Sequence, residues 1–157
     1  MNPITIQSYS VGDENKIHDL IKTVYDEFVA PDYTLNGNAF FYTYIQPSNF
    51  VQRFTITKNI IVTAIADSQI VGMIEIRGTN MVSLLFVQKE FHKQGVARAL
   101  LKEALSQIRL RKPDLSELHV HASPYSISVY ENLGFVGVGD LQEDNGIKYL
   151  AMKETLP

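Results

Sequence analysis

The sequence predicts one α/β domain: a mixed, mostly antiparallel sheet of about seven strands, with one parallel pair and helices on both faces. Three observations predict it. Strand-like runs between residues 60 and 87 are joined by short turns, which fits an antiparallel meander. An apolar run, Leu84-Leu85-Phe86-Val87, then passes through a polar turn into an amphipathic helix and on to another strand, Leu118-His119-Val120-His121-Ala122. A strand–helix–strand connection of this kind is right-handed, which makes residues 82–87 and 117–122 parallel. Finally, a length of 157 residues, 45% apolar and 20% charged, suits one globular domain with a real core.

Each element has a local reason. Ile4-Thr5-Ile6-Gln7 alternates as a short strand does. Asp13 can cap a helix in which Ile17, Leu20, Ile21, Val24 and Phe28 share one face, and Pro31 ends it. Asp26, Glu27, Asp32 and Tyr33 lie near that end, where they could face a ligand. Residues 33–54 concentrate aromatics: Tyr33, Phe40, Phe41, Tyr42, Tyr44, Phe50 and Phe54. A helix from about Asn38 to Ile45 is expected there, followed by a turn at Pro47 and a short helix or loop. These rings make either a satellite core or one wall of a substrate pocket. Ile60–Ile65, Ile70–Ile76 and Met81–Val87 are the meander strands. From Gly95 the apolar period turns helical, with Ala97, Leu100, Leu101, Ala104, Leu105 and Ile108 on one stripe. Pro113-Asp114 breaks it. After the strand at 118–122, a short helix over about Tyr125 to Asn132 stops at Gly134. Phe135–Val138 and Ile147–Met152 complete the sheet through the turn Asp144-Asn145-Gly146.

Composition excludes several function classes. The net charge of −3 gives no global reason to expect nucleic acid or a membrane surface as partner. No cysteine is present, so disulfides, thiolate metal sites and a cysteine nucleophile are out. No basic, apolar leader is visible at Met1-Asn2-Pro3-Ile4-Thr5 and no apolar stretch is long enough to span a bilayer, so the cytoplasm is the default expectation. His119 and His121 share a strand face and could act as bases or as two metal ligands. Sequence places no third ligand, and no metal is expected. His18, on a helix without a motif, reads as structural.

Two stretches carry chemistry. In the first, a buried strand feeds a polar turn bearing Lys89, His92 and Lys93, and the turn opens a helix at Gly95. Unpaired N–H groups at a helix N-terminus suit a phosphate. The turn is neither a Walker loop, for no Gly-Lys-Ser/Thr follows, nor a dinucleotide fingerprint, which needs three glycines. The second stretch, Ser123 to Phe135, follows the parallel strand directly.

Together these stretches resemble the GNAT superfamily of acyl-CoA-dependent N-acetyltransferases. His92-Lys93-Gln94-Gly95-Val96-Ala97 is similar to the family's Gln/Arg-x-x-Gly-x-Gly/Ala turn. Ser123-Pro124-Tyr125-Ser126, with Tyr130, Gly134 and Phe135 in register, is similar to its Asn-x-x-Ala-x-x-x-Tyr-x-x-x-Gly-Phe. The element order agrees along nearly the whole chain. The resemblance implies acetyl-CoA as co-substrate. Its pantetheine would pair with the backbone of Leu85, Phe86 and Val87, and its pyrophosphate would lie on the turn of His92, Lys93, Gln94, Gly95, Val96, Ala97 and Arg98. Ser123 and Ser126 would contact the cofactor. A backbone N–H near Phe86 would polarise the thioester carbonyl. Tyr130 would be the general acid for the departing thiolate; taken without the motif, it reads as a tyrosine packing its helix on the sheet.

The departures are His92 for Gln/Arg, Ser123 for Asn and Ser126 for Ala. At the position where several family members carry a basic Glu, this chain has Leu118. Glu75, inside an apolar strand, is the substitute base expected from sequence, although a lone polar residue in a strand can simply face solvent. The acceptor expected is a small-molecule or peptide amine, attacked directly in a ternary complex. An acyl-CoA-binding sensor without turnover is the alternative. Sheet edges and the C-terminal hairpin would allow a homodimer.

Overall fold

A computed structural model describes residues 3–157. Strand β1 (Thr5–Ser8) leads to helix α1 (Glu14–Phe28), then α2 (Leu35–Tyr44) and α3 (Pro47–Thr55). The meander is β2 (Ile60–Ala66), β3 (Gln69–Arg77) and β4 (Met81–Val87). Helix α4 (Val96–Arg111) crosses to β5 (Glu117–Ala122), and α5 (Ile127–Asn132) leads to β6 (Val136–Gly137), β7 (Gln142–Asp144) and β8 (Ile147–Thr155). The eight strands run in the order β1-β2-β3-β4-β5-β8-β6, with β7 paired to β8 alone. Every pairing is antiparallel except β4 with β5. No helix among the described residues is long and apolar enough to cross a membrane.

The sheet separates two apolar clusters. On one face α4 lays Leu100, Ala104 and Ile108 over Val62, Ile74 and Val120. On the other, Ile17, Ile21 and Val24 of α1 pack with Phe50 of α3 on Ile61, Met73 and Leu84. The helical spacing in the sequence predicts both faces, and α1, α4 and the meander strands fall within a residue or two of their expected ends.

One open choice is resolved and two details differ from expectation. Of the short helix or loop expected after Pro47 the structure has the helix, because proline suits the first helical turn as well as it breaks an interior. The sheet has an eighth strand, β7, whose Gln142, Glu143 and Asp144 are all exposed. No apolar alternation could announce it. It exists because Asn145 (φ 53°) and Gly146 (φ 78°) form a tight turn that folds it onto β8. Second, α2 begins three residues earlier than expected. The Thr34 hydroxyl accepts from the Gly37 N–H at 3.1 Å and caps it, while the Thr34 N–H donates to the Gly146 carbonyl at 3.1 Å. A Cβ on Gly37 would sit 2.5 Å from that carbonyl oxygen, so only glycine lets α2 meet the β7–β8 turn.

Candidate active site

The site begins with a fault in β4. Opposite β3, Glu75 pairs with Leu84 and Ile76 with Val82, so Ser83 has no partner and forms a bulge. The parallel pairing of β4 with β5 covers only Met81–His119 and Val82–Val120. Beyond the bulge the two strands separate, although β4 runs on to Val87 and β5 to Ala122. The separation leaves a wedge at their C-terminal ends, where open sheets receive ligands. A cavity of about 710 Å³ fills it.

Backbone direction follows from one bond. The Gln88 N–H donates to the Val71 carbonyl at 2.8 Å, so antiparallel alternation turns the N–H of Phe86 toward β3 as well. The N–H groups of Leu85 and Val87 therefore face the wedge. The N–H expected near Phe86 would thus be that of Leu85 or Val87. The Phe86 side chain lines the cavity on the α1–α2 side and lies 6.0 Å from the Phe41 ring.

At one end of the wedge is the polar turn. Lys93 (φ 62°) and Gly95 (φ 81°) both take left-handed backbone, and α4 starts at the next residue. Around Gly95 there is nothing within 4 Å of a built Cβ, so the approach to the helix N-terminus is open. Lys93, Gly95, Val96, Ala97 and Arg98 line the cavity. His92 lines it too, but its Nε2 is bonded to the Val87 carbonyl at 2.7 Å and braces the turn. Gln94 is not among the lining residues: its amide donates to the Glu90 carbonyl at 3.0 Å. The Arg98 guanidinium reaches the Asn132 carbonyl at 2.6 Å and ties α4 to the end of α5.

The far wall is the segment after β5. Ser123 and Ser126 hydroxyls are 2.8 Å apart, and the Ser126 hydroxyl also lies 3.0 Å from the Ser123 carbonyl. Both serines line the cavity, as does Tyr130, whose side chain is only 6% exposed. Phe135 packs against the Tyr130 ring at 5.4 Å, edge to face. Burial raises the phenol's pKa well above its ordinary value. Burial alone causes that shift: no charge and no hydrogen bond to the hydroxyl contributes to it. Sequence spacing thus brings Tyr130, Ser123, Ser126 and the turn to one cavity.

Glu75 is a different matter. It is fully buried, does not line the cavity, and accepts from Arg53 Nε at 2.7 Å and Nη2 at 3.0 Å and from Asn59 Nδ2 at 2.8 Å. Arg53 in turn lies over the Tyr44 ring at 3.9 Å. The carboxylate expected from sequence to act as a base is thus held in a buried ion pair away from the cavity. A polar residue in an apolar strand was the right signal for something special, but the partner on α3 was not visible from β3.

Several lining residues lie outside the two motifs. Tyr33 and Phe41 line the cavity, whereas Phe40 is exposed and Phe50 is core, so the aromatic stretch divides between both of its expected uses. Burial and then Asp32 push Tyr33 up to about 12, with the Ser123 hydroxyl pulling the other way. His121 also lines the cavity, on the face of β5 opposite Leu118, Val120 and Ala122, and stacks on Tyr149 at 4.4 Å. Burial, then Arg77 and His119, lower its pKa, so it is neutral at pH 7. Its neighbour His119 lies 3.1 Å from Glu117. Among the described residues no cluster of three histidines or carboxylates could hold a metal.

The acetyltransferase (GNAT) domain model matches residues 29–156. Solved structures of the same fold include an N-acetyltransferase of Rhodopseudomonas palustris, with a TM-score of 0.81, 18% identity, 99% of this chain and 98% of that chain. The PaiA N-acetyltransferase of Thermoplasma acidophilum, in complex with coenzyme A, has a TM-score of 0.81 at 16% identity over 98% of this chain and 99% of that one. An aminoglycoside 6'-N-acetyltransferase complexed with coenzyme A has a TM-score of 0.68 at 15% identity over 98% of both chains. At such identities the likeness is one of fold. No curated protein matches the chain.

Proposed function

The chain belongs to the GNAT acetyltransferase family, and we propose that it moves an acetyl group from acetyl-CoA directly to a primary amine in a ternary complex, with Tyr130 as general acid. The observation that carries this reading is buried Tyr130 lining the cavity where β4 and β5 part. Coenzyme A in two proteins of the same fold supports the choice of co-substrate.

The residues present fit such a molecule. The wedge-facing N–H groups of Leu85 and Val87 would bind the carbonyl oxygens of an extended amide arm and of the acyl group. Lys93, Arg98 and the N–H groups that open α4 would hold the pyrophosphate. Bound there, the co-substrate supplies an acyl thioester and a thiol leaving group. Carbon–nitrogen bond formation and carbon–sulfur cleavage then leave two protons to move. Tyr130 gives the proton on its Oη to the sulfur. Its raised pKa keeps it protonated across the working range. Low polarity also raises the proton affinity of a thiolate beside it, so acid and acceptor shift in the same sense. His121 takes the amine proton. It is the neutral base on the acceptor side of the cavity, and Leu118 and Glu75 leave no carboxylate for that task.

The test is Tyr130→Phe. The expected result is a fall in kcat of roughly 10²–10⁴ with acetyl-CoA affinity within about twofold of wild type. Unchanged turnover would remove Tyr130 from the chemistry. Tight acetyl-CoA binding by the wild-type protein, with no CoA release on any amine, would favour the sensor instead.

A further inference from the structure

The acceptor half of the cavity has a composition of its own. Its walls are Val24, Tyr25 and Val29 of the α1 end, Phe41 of α2, Phe86 of β4 and Ile147 of β8, with the exposed His121 also lining the cavity. Among the described residues no Asp or Glu lines the cavity at any point, and its charged side chains are the cations Lys93 and Arg98. Asp32, beside the lining Tyr33, does not itself line the cavity, and three other nearby carboxylates are paired elsewhere. Asp26 is held by Lys22 at 2.6 Å and by the Tyr42 hydroxyl, and Glu27 by Lys89 at 3.0 Å. Glu117 faces His119 and Lys153.

Several of the aromatic faces are already paired. Tyr25 and Phe41 stack on each other at 3.8 Å with their planes 5° apart, and the Tyr25 hydroxyl donates to Asn38. The His121 ring is stacked on Tyr149. These pairings take one face each of Tyr25, Phe41 and His121, which leaves fewer open faces for cation–π capture of an ammonium. Above this half, the contact of Thr34 with Gly146 closes α2 onto the β7–β8 turn, and Ile147 beside that turn lies against Gly37.

From this composition, and resting on the acetyl-transfer reading above, we infer that the acceptor is a monoamine on a compact apolar or aromatic body, not a polyamine or an aminosugar. One ammonium can lose its proton to His121 and react as a neutral group. A second cation on the same molecule would be desolvated among Phe41, Phe86 and Ile147 with no counter-charge, and with Lys93 and Arg98 at the other end of the same cavity. Apolar body atoms, by contrast, gain from every surface available there.

The experiment measures CoA release from acetyl-CoA by the full chain with matched pairs: phenethylamine against 4-(2-aminoethyl)benzylamine, and hexylamine against 1,6-diaminohexane, with spermidine and kanamycin added. The expected kcat/KM favours the monoamine of each pair by at least tenfold, with the least turnover on spermidine and kanamycin. Ile147→Glu, at a half-buried rim position, should cut that ratio at least tenfold by supplying the missing carboxylate, and thermal unfolding with and without CoA reports whether the variant is folded. Equal or better turnover of the diamines, spermidine or kanamycin by wild type overturns the acceptor class and leaves acetyl transfer standing. A folded Ile147→Glu with an unchanged ratio overturns the charge argument. If the variant does not fold, the wild-type ratios decide. No CoA release with any amine overturns the acetyl-transfer reading and this inference with it.

Discussion

Replacing Arg53 with methionine would isolate the buried ion pair and separate structure from chemistry at Glu75. The Glu75 carboxylate is fully buried and receives two N–H groups from Arg53 and one from Asn59, at 2.7, 3.0 and 2.8 Å. Methionine keeps the packing against Tyr44 and Phe50 but leaves the carboxylate with Asn59 alone. Removing one partner of a buried pair costs about 3–5 kcal/mol. The surviving Asn59 contact places the cost near the low end, about 3 kcal/mol. For a chain of this size that lowers Tm by roughly 6–12 °C. Replacing both residues with methionine should recover most of the loss, because no charge is then stranded. Thermal unfolding measures the first quantity, and CoA release per folded molecule measures the second. Glu75→Gln should lower Tm and leave kcat within about threefold. A Glu75→Gln protein that melts like wild type but has lost turnover would refute the reasoning and return Glu75 to the chemistry. So would an Arg53→Met protein whose Tm falls by less than about 2 °C.

Two further outcomes follow from the cavity. Gly95→Val should weaken CoA binding at least tenfold in a titration while the fold survives. The φ of 81° is strained for a β-branched residue by about 1–3 kcal/mol, and open space around its Cβ means that no clash adds to this; retained binding would count against the turn as the phosphate site. The pH profile of kcat, at saturating monoamine, should bend downward only on the acid side of about 6.5. The reason is that the His121 pKa is lowered, so its neutral, proton-accepting form persists as pH falls past the ordinary histidine value. In His121→Gln that acid limb should vanish and kcat should drop; an unchanged limb would remove His121 as the base.

Much of the site was legible because its signals are local. A change of period from strand to helix at Gly95, and a serine, a tyrosine and a Gly-Phe pair at fixed offsets after β5, are properties of a dozen consecutive residues each. His121 is legible in the same way, as a candidate base that alternates with Leu118, Val120 and Ala122 and so points to the other face of β5. Tyr33 and Phe41 could not be separated from Phe40 and Phe50 by spacing, because burial of a ring depends on which distant surface arrives beneath it. Glu75 shows the same limit more sharply. An isolated carboxylate in an apolar strand reads alike whether it meets a substrate or an arginine, and Arg53 lies 22 residues away on α3.

By itself the sequence determined the kind of fold, the pair of strands that part, the turn that can take a phosphate, and the tyrosine beside them. These follow from hydrophobic period, turn chemistry and the handedness of a crossover, each of which acts over short stretches of chain. Tertiary structure alone decided three things. The bulge at Ser83 turns Leu85 and Val87 toward the wedge, Arg53 holds Glu75 in a buried ion pair, and Gly37 meets Gly146 where α2 reaches the β7–β8 turn. In each case the outcome depends on where two segments far apart in the chain come to rest, and that is set by close packing of the whole domain rather than by any pattern within either segment.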